Sequence, residues 1–443
     1  MEGDITKPEL GLSASDQEAL RHHVSVVFHS AATVRFDEPL RSAVAMNIEG
    51  TRRLVELCRG MRHLVSFVHV STAYSNCDRH DIREELYDPP YDPEQFVNTV
   101  NLLDDATLTT ITPKLLGERP NTYTLTKALA ESLLAKLAKD LPVSIVRPSI
   151  VTAALREPLP GWVDNINGPT GLIAGAGKGI LRTIWCYRDL VADIVPVDLC
   201  INLMLAVAWH TANSSKPPLP RIYQFTSGAQ NPMYWRDLEK HGYESLVERP
   251  YSGILWYPGG SFKSSRLVNS VCSTVQHDIP AILVDAGFRL MRKKPFMTNI
   301  QRRMHKAATS LEFFTTHEWN FSDANVQSLL KELSPEDFQT FNFDIKAVHW
   351  ADYIERYVEG TRLFVLKEGP EIDAQSRIRL RRMHILHKTV QIMFILLCFR
   401  LIAPQRMKSA VRILIGLLLF ATNSATHITN TLLLGLSKAF AAL

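Results

Sequence analysis

Leu64-Val-Ser-Phe-Val-His-Val-Ser-Thr-Ala-Tyr74 is a β-branched and aromatic run that stops in two hydroxyls, Ser71 and Thr72. Apolar residues occupy both parities up to Val70, the pattern of a strand covered on both faces in a parallel sheet. Val24-Ser-Val-Val-Phe-His-Ser-Ala-Ala32 reads the same way and ends in small residues. Val143-Ser-Ile-Val-Arg-Pro-Ser149 is a third such run, stopped by proline, and Arg221-Ile-Tyr-Gln-Phe-Thr-Ser227 a fourth. Helical periods lie between them. Leu40, Val44, Ile48 and Val55 mark one apolar side after Pro39, which suits a helix's first turn, and Ala128-Leu-Ala-Glu-Ser-Leu-Leu-Ala135 marks another. Strands alternating with helices predict an α/β fold built on a doubly wound parallel sheet.

Ligands of such sheets bind beyond the carboxyl ends of the strands. Ser30, Ala31, Ala32, Ser71, Thr72, Pro148 and Ser149 all fall at such ends. Taken one by one, the hydroxyls can equally be caps of the helices that follow. Asn121-Thr-Tyr-Thr-Leu-Thr-Lys127 places Tyr123 and Lys127 in a helix's first turns, on one face. A neighbouring cation lowers a phenol's pKa and equips it as a general acid. Among twelve tyrosines that spacing alone is an ordinary coincidence. Convergence with three strand ends makes a site of it.

A chain of 443 residues, 46% hydrophobic, has material for more than one domain. The net charge of +4 hides an asymmetry: ten of the 49 Lys and Arg lie after Asp373, where no Asp or Glu occurs, so the first 373 residues hold 39 basic against 45 acidic groups. No nucleic-acid partner is expected. Six scattered cysteines without a C-x-x-C pair suit reduced thiols facing a cytosol, and no metal site is expected, since Phe321 stands where H-E-x-x-H starting at His317 needs its second His. The N-terminus lacks the apolar run of a cleavable signal. The tail alternates basic clusters with charge-free stretches at 389–399 and 413–436; the second is long enough to cross a bilayer and the first is short. A lipid bilayer is therefore an expected partner, with the cytosolic side favoured by the Arg and Lys clusters. The ending is not the S-K-L address, which favours the endoplasmic reticulum over the peroxisome.

Thr72 (or Ser71) with Tyr123-x-x-x-Lys127 resembles the catalytic set of the extended short-chain dehydrogenase/reductases. Phe28-His-Ser-Ala-Ala-Thr-Val-Arg-Phe36, Asn47-x-x-Gly-Thr51, Phe67-Val-His-Val-Ser-Thr-Ala-Tyr74 and Val146-Arg-Pro-Ser149 together resemble one branch, the alcohol-forming fatty acyl-CoA reductases. The resemblance implies reduction of a long-chain fatty acyl-CoA to a fatty alcohol with NADPH. Thr72 or Ser71 would hydrogen-bond the oxyanion, Tyr123 supply the proton, and Lys127 lower the phenol pKa and hold the nicotinamide ribose. The cofactor-binding set it implies is Asp4, Ile5, Ser30, Ala31, Ala32, Asn47, Tyr123, Lys127, Pro148, Ser149 and Ile150. Members open with a G-x-x-G-x-x-G turn that this sequence does not contain, and Gly3-Asp4-Ile5 resembles the end of a later strand. The expected fold is thus a Rossmann-type sheet lacking its first βαβ unit, with a C-terminal helical domain and a membrane-associated tail.

The expected organisation is an NAD(P)-binding reductase domain at 1–230, a basic, aromatic-rich connecting region at 231–309, a helical domain at 310–370 and a membrane-anchoring tail at 376–443. Gly168-Pro-Thr-Gly-Leu-Ile-Ala-Gly-Ala-Gly-Lys-Gly179 fails as a phosphate loop and reads as a mobile loop at the substrate mouth. A basic solvated surface is expected for 231–309, with a lipid-facing or CoA-phosphate patch as the alternative. The aromatics of 313–321 read as core, and a helix from about 345 ends at Gly360. Two other functions stay open: a catalytically impaired, membrane-tethered relative that binds acyl-CoA, and a soluble-type reductase or epimerase of sugar nucleotides.

Overall fold

The computed structural model describes residues 1–371 and 374–402. Its centre is an all-parallel sheet of β1 (Val26–His29), β2 (Ser66–Val70), β3 (Val143–Pro148) and β4 (Arg221–Phe225), adjacent in that order. The register sets His29 opposite His69, Phe67 opposite Val143 and Pro148 opposite Phe225. Because the strands share one direction, residues 30–32, 71–72 and 149 all leave the same end of the sheet.

Both faces are covered. The helices α1 (Gly50–Arg59) and α2 (Thr122–Leu137) bury Val55, Cys58 and Leu134 against Phe67, Val143, Ile145 and Ile222, at roughly 1.5–3 kcal/mol for each large side chain. On the opposite face α3 (Val197–Asn213) packs on β2 and β3, where the Ser144 and Thr211 hydroxyls meet at 2.7 Å. Pro39 caps the helical run that leads into α1, and that run is not uniform: a π-helical turn, Ala45–Glu49, sits inside it with Asn47 at its centre. Gly3-Asp4-Ile5 is a turn, not a strand end. Asp4 Oδ1 accepts from Thr6 N at 2.9 Å and from its hydroxyl at 2.6 Å, Arg53 donates to the Ile5 carbonyl at 3.0 Å, and Ile5 lies against Gly50. Among the described residues β1 is an edge strand.

The stretch expected to be a mobile loop is a helix, Pro169–Gly177, with most of its residues buried. Proline fits its first turn, and its small residues serve packing: a Cβ on Gly177 would sit 2.4 Å from the Tyr251 ring. Beyond β4 the chain is mainly helical: after a helix at Trp235–Glu248 and a short strand at Ser261–Lys263 come α4 (Arg266–Ser273), a π turn (Thr274–Asp278), α5 (Ile279–Leu290), α6 (Met297–Thr316), α7 (Ala324–Glu332), a short helix at Pro335–Thr340 and α8 (Trp350–Gly360). The expected boundary at 309/310 falls inside α6. The chain after α6 returns beside the sheet: Asn320–Phe321 forms a separate two-stranded parallel sheet with Asp81–Ile82, Gln224 Nε2 donates to the Ser322 carbonyl at 2.7 Å, and Asn325 Nδ2 to the Ile222 carbonyl at 2.8 Å. Residues 1–380 pack as one unit.

Gly360 does not end its helix, which continues as a π turn, Thr361–Val365. It is glycine because the backbone of Gly161 crosses there: an added Cβ would lie 1.7 Å from the Gly161 carbonyl oxygen. In the tail, α9 (Ala374–Ile402) is one unbroken helix, so the charge-free stretch at 389–399 is part of a longer element. Ile385, Leu386, Ile392, Phe394 and Ile395 are exposed around its whole circumference and form no single amphipathic stripe. It is the one helix among the described residues long and apolar enough to cross a membrane. The expected span at 413–436 lies outside the described residues.

The crossing at Gly360 is testable. Gly360→Ala is expected to destabilise the protein by more than ~2 kcal/mol, through overpacking against backbone that cannot yield. Gly287→Ala, in α5 with nothing near its would-be Cβ, should be neutral or stabilise by up to ~1 kcal/mol. Equal unfolding midpoints for the two variants would refute the packing argument.

Candidate active site

Two chain segments meet at the carboxyl end of β2. After Val70 the strand yields to Ser71 and Thr72, and Thr72 caps a 3-10 turn, Ala73–Asn76, its hydroxyl accepting from Tyr74 N at 3.3 Å. Opposite stands α2, whose N-cap Asn121 accepts from Thr124 N at 3.0 Å and thereby fixes Tyr123 in the first turn. The Thr72 side chain lies near enough to the Tyr123 phenol to act on its titration. One helical turn on, Lys127 Nζ donates to the Val70 carbonyl at 2.7 Å, so the amine ties α2 to the strand that delivers Thr72.

The electrostatics differ from the sequence expectation. Burial pushes the Tyr123 phenol up to about 12, against the neighbouring Thr72 side chain, which holds it down. Lys127 does not lower it. Spacing four residues apart puts both on one face, but the long amine stem carries the charge to Val70, and desolvation of the phenol dominates. Lys127 itself is brought down to about 8 by burial, opposed by the Glu131 carboxylate. Behind it His29 falls to about 3 by burial and by the Lys127 charge. Fully buried His69 titrates well below the ordinary range, by burial first and then by the charges of His29 and Lys127. Both imidazoles are therefore neutral, packed together with 4.9 Å between ring centroids.

Ser71 and Thr72, alternatives in the sequence, point to different partners. Ser71 donates to Glu131, which also takes a bidentate pair from Arg147 at 2.9 and 2.6 Å. Arg147 completes its set with the carbonyls of Arg83 (3.2 Å) and Glu85 (3.0 Å). Ser71 is thus part of a closed, buried ionic network, and Thr72 is the hydroxyl at Tyr123. Sequence reasoning missed Glu131, although a signal existed: it lies four residues after Lys127, a lone acid on an Ala and Leu helix face.

The other expected residues divide. Ser30 and Ala31 are exposed and Ala32 half-buried just past β1, leaving small residues at the mouth. Asn47 Oδ1 accepts from Thr33 N at 3.0 Å while its amide donates to the Thr126 hydroxyl at 2.9 Å, so it clamps the post-β1 loop to α2. Pro148 ends β3, and Ser149 is buried after it with its hydroxyl unpaired among the described residues, near Asp193, a carboxyl raised by burial that accepts from Ser227 N and Gly228 N. Ile150 packs into the aromatic cluster of Tyr74, Phe314 and Phe321, and Asp4 and Ile5 sit over the start of α1. That cluster was expected to be core alone. It is core, and it also reaches the site: Phe36 stands 6.0 Å from the Tyr123 ring and stacks on Phe314 at 5.3 Å. Phe36 and Phe314 are aromatic walls that the sequence reading did not assign.

Comparison with known proteins follows this geometry. Residues 1–204 match a family profile for NAD binding described as male sterility protein, and residues 276–368 match a second profile of the same description. Fatty acyl-CoA reductase 1 of Xenopus laevis is 43% identical over 365 residues, 82% of this chain and 71% of that protein. Fatty acyl-CoA reductase 2 of Mus musculus is 40% identical over 399 residues, 90% of this chain and 77% of that one. Among solved structures, the terminal R domain of the myxalamid PKS-NRPS pathway superposes with a TM-score of 0.53 at 19% identity, covering 84% of this chain and 76% of that one, which shows a shared fold.

The buried network gives a stability prediction. Glu131→Gln leaves Arg147 fully buried without its counter-charge, a change expected to cost about 3–5 kcal/mol. Thr72→Val, away from that network, should cost about 1 kcal/mol. Urea unfolding curves decide this, and equal losses would overturn the separation of Ser71's network from Thr72.

Proposed function

The chain belongs to the fatty acyl-CoA reductase family, and on that footing we propose that it reduces a long-chain fatty acyl-CoA to the fatty alcohol, with NADPH as its nicotinamide cofactor. The observation that carries the reading is the meeting of the Tyr123 phenol with the Thr72 hydroxyl at the carboxyl end of the sheet, beside Lys127. The residues fit the cofactor. An ammonium has three N–H groups, and Lys127 gives one to Val70, so donors remain for a ribose diol. Exposed Ser30 and Ala31 permit close approach at the strand end. When bound, the nicotinamide supplies hydride to the carbonyl carbon.

The chain's own groups then handle charge. Tyr123, kept protonated by burial, is the proton donor to the oxygen that gains negative charge as the carbonyl is reduced. Because the Thr72 oxygen takes the Tyr74 N–H, its own proton stays available for the phenol oxygen or the substrate oxygen. Asn47 keeps the Thr33 loop and α2 in register. Two such reductions at one carbon, with the CoA thiol leaving between them, carry a thioester to an alcohol. A membrane anchor suits this substrate: α9 begins with Arg377, Arg379, Arg381 and Arg382, which favour the cytosolic face, and its apolar part would enter the bilayer.

Full-length protein in lipid vesicles, given palmitoyl-CoA and NADPH, is expected to form hexadecanol with saturable NADPH dependence. Palmitoyl-CoA binding with no saturable NADPH binding would favour the tethered acyl-CoA-binding reading instead. Tyr123→Phe should lower kcat by about 10²–10⁴-fold and Thr72→Val by about 10²–10³-fold, whereas normal turnover by Tyr123→Phe would end the mechanism. The Lys127 ammonium exists below about 8 and is lost above it, so kcat/KM should fall as pH rises through that value. Glu131→Gln removes the charge that holds the Lys127 pKa up, and its folded fraction should show the limb at lower pH.

A further inference from the structure

From 266 to 290 the chain forms a nearly continuous helical run, α4, a π turn and α5, whose polarity is inverted. The side turned to the protein carries Ser273, His277, Ala281 and Asp285, all buried. The side turned outward carries Leu267, Val271, Val275, Ile279, Leu283 and Leu290, with Leu267 73%, Leu283 66% and Leu290 87% exposed. A surface helix of a soluble body shows the reverse arrangement. Nor can the run roll over to bury its apolar side, because polar bonds fix its inner face. Asp285 accepts from Phe296 N, Met297 N and Thr298 N at 2.8–2.9 Å and from the Thr298 hydroxyl at 2.6 Å. His277 Nε2 accepts from Arg182 N at 2.7 Å, and Ser273 meets His277 Nδ1 at 3.2 Å.

The charges around the ridge select its occupant. Arg266 is exposed at one end, and Arg289, Arg292, Lys293 and Lys294 are exposed at the other, while Asp278 is the single exposed acid between them. An apolar strip with cations at its borders complements hydrocarbon bounded by anionic headgroups. A second protein copy meeting this face would bring the same cations together. We propose that the ridge of α4 and α5 is an interfacial membrane-binding surface, lying in the headgroup layer of a bilayer that contains anionic lipid, as a contact separate from α9. The proposal takes up the lipid-facing alternative for this region, and it does not depend on the catalytic reading.

The test uses the full chain in phosphatidylcholine vesicles containing about 30% phosphatidylserine, enough to give the surface a negative potential. Half-buried Cys272 and Cys398 are changed to Ser. A nitroxide is then attached within the ridge, through Ile279→Cys or Leu283→Cys, or at exposed Thr109→Cys as control. The ratio of oxygen to nickel-chelate accessibility at 279 and 283 should exceed that at 109 by roughly tenfold, as for side chains seated below the headgroups. Reversing Arg292, Lys293 and Lys294 to Glu should lower the ratio at 283 several-fold at low salt. Equal ratios at 283 and 109, spin–spin broadening from a second copy, exclusion of both reagents by protein packing, or indifference to the charge reversal would each overturn the proposal.

Discussion

The hydrogen bond from Lys127 Nζ to the Val70 carbonyl fastens the first turns of α2 to the end of the central strand. Everything at the site follows from that attachment. Tyr123 precedes Lys127 by one helical turn, and Thr72 follows Val70 by two residues, so one bond brings phenol and hydroxyl into register. One turn further on, Glu131 accepts from Ser71 and Arg147 and anchors the same helix to β2 and β3. Three polar residues at 123, 127 and 131 thus have graded depth: the first faces the mouth, the second is buried with one carbonyl, and the third lies in a closed ionic network.

Burial governs the chemistry of these groups more than their mutual charge does. Desolvation is the largest influence on Tyr123, Lys127, His29 and His69, and it drives each toward its neutral form. A phenol kept protonated is suited to giving a proton away, and a partly deprotonated lysine makes the site sensitive to alkaline pH. The aromatic wall of Phe36, Phe314 and Tyr74 maintains that dryness and joins the helical region to the sheet.

The chain also places apolar surface outside its core in two distinct patterns. In α9 it surrounds the helix, and in the α4 to α5 run it forms one stripe opposite a polar inner face. Both depart from what water-facing helices tolerate, the first all round its circumference and the second along one side. Under the proposed function, a long-chain substrate and product that partition into lipid would give such surfaces a use.

Periodicity and strand composition were enough to read the parallel sheet, the helix bearing Tyr123 and Lys127, and the convergence of strand ends, because buried strands and amphipathic helices write their geometry into local residue order. Local order could not show which of Ser71 and Thr72 faces the phenol. Adjacent residues leaving a strand point in opposite directions, and the partner that claims Ser71, Glu131, is 60 residues away. It could not show the sign of the phenol's shift, since desolvation is a property of everything packed around a group. Gly360 looked like a helix stop for the same reason, when it is the crossing point of the Gly161 backbone. Local residue order specifies the elements and their chemical inventory; which polar groups meet and which apolar faces stay uncovered is settled by packing, because those outcomes depend on contacts between segments far apart along the chain.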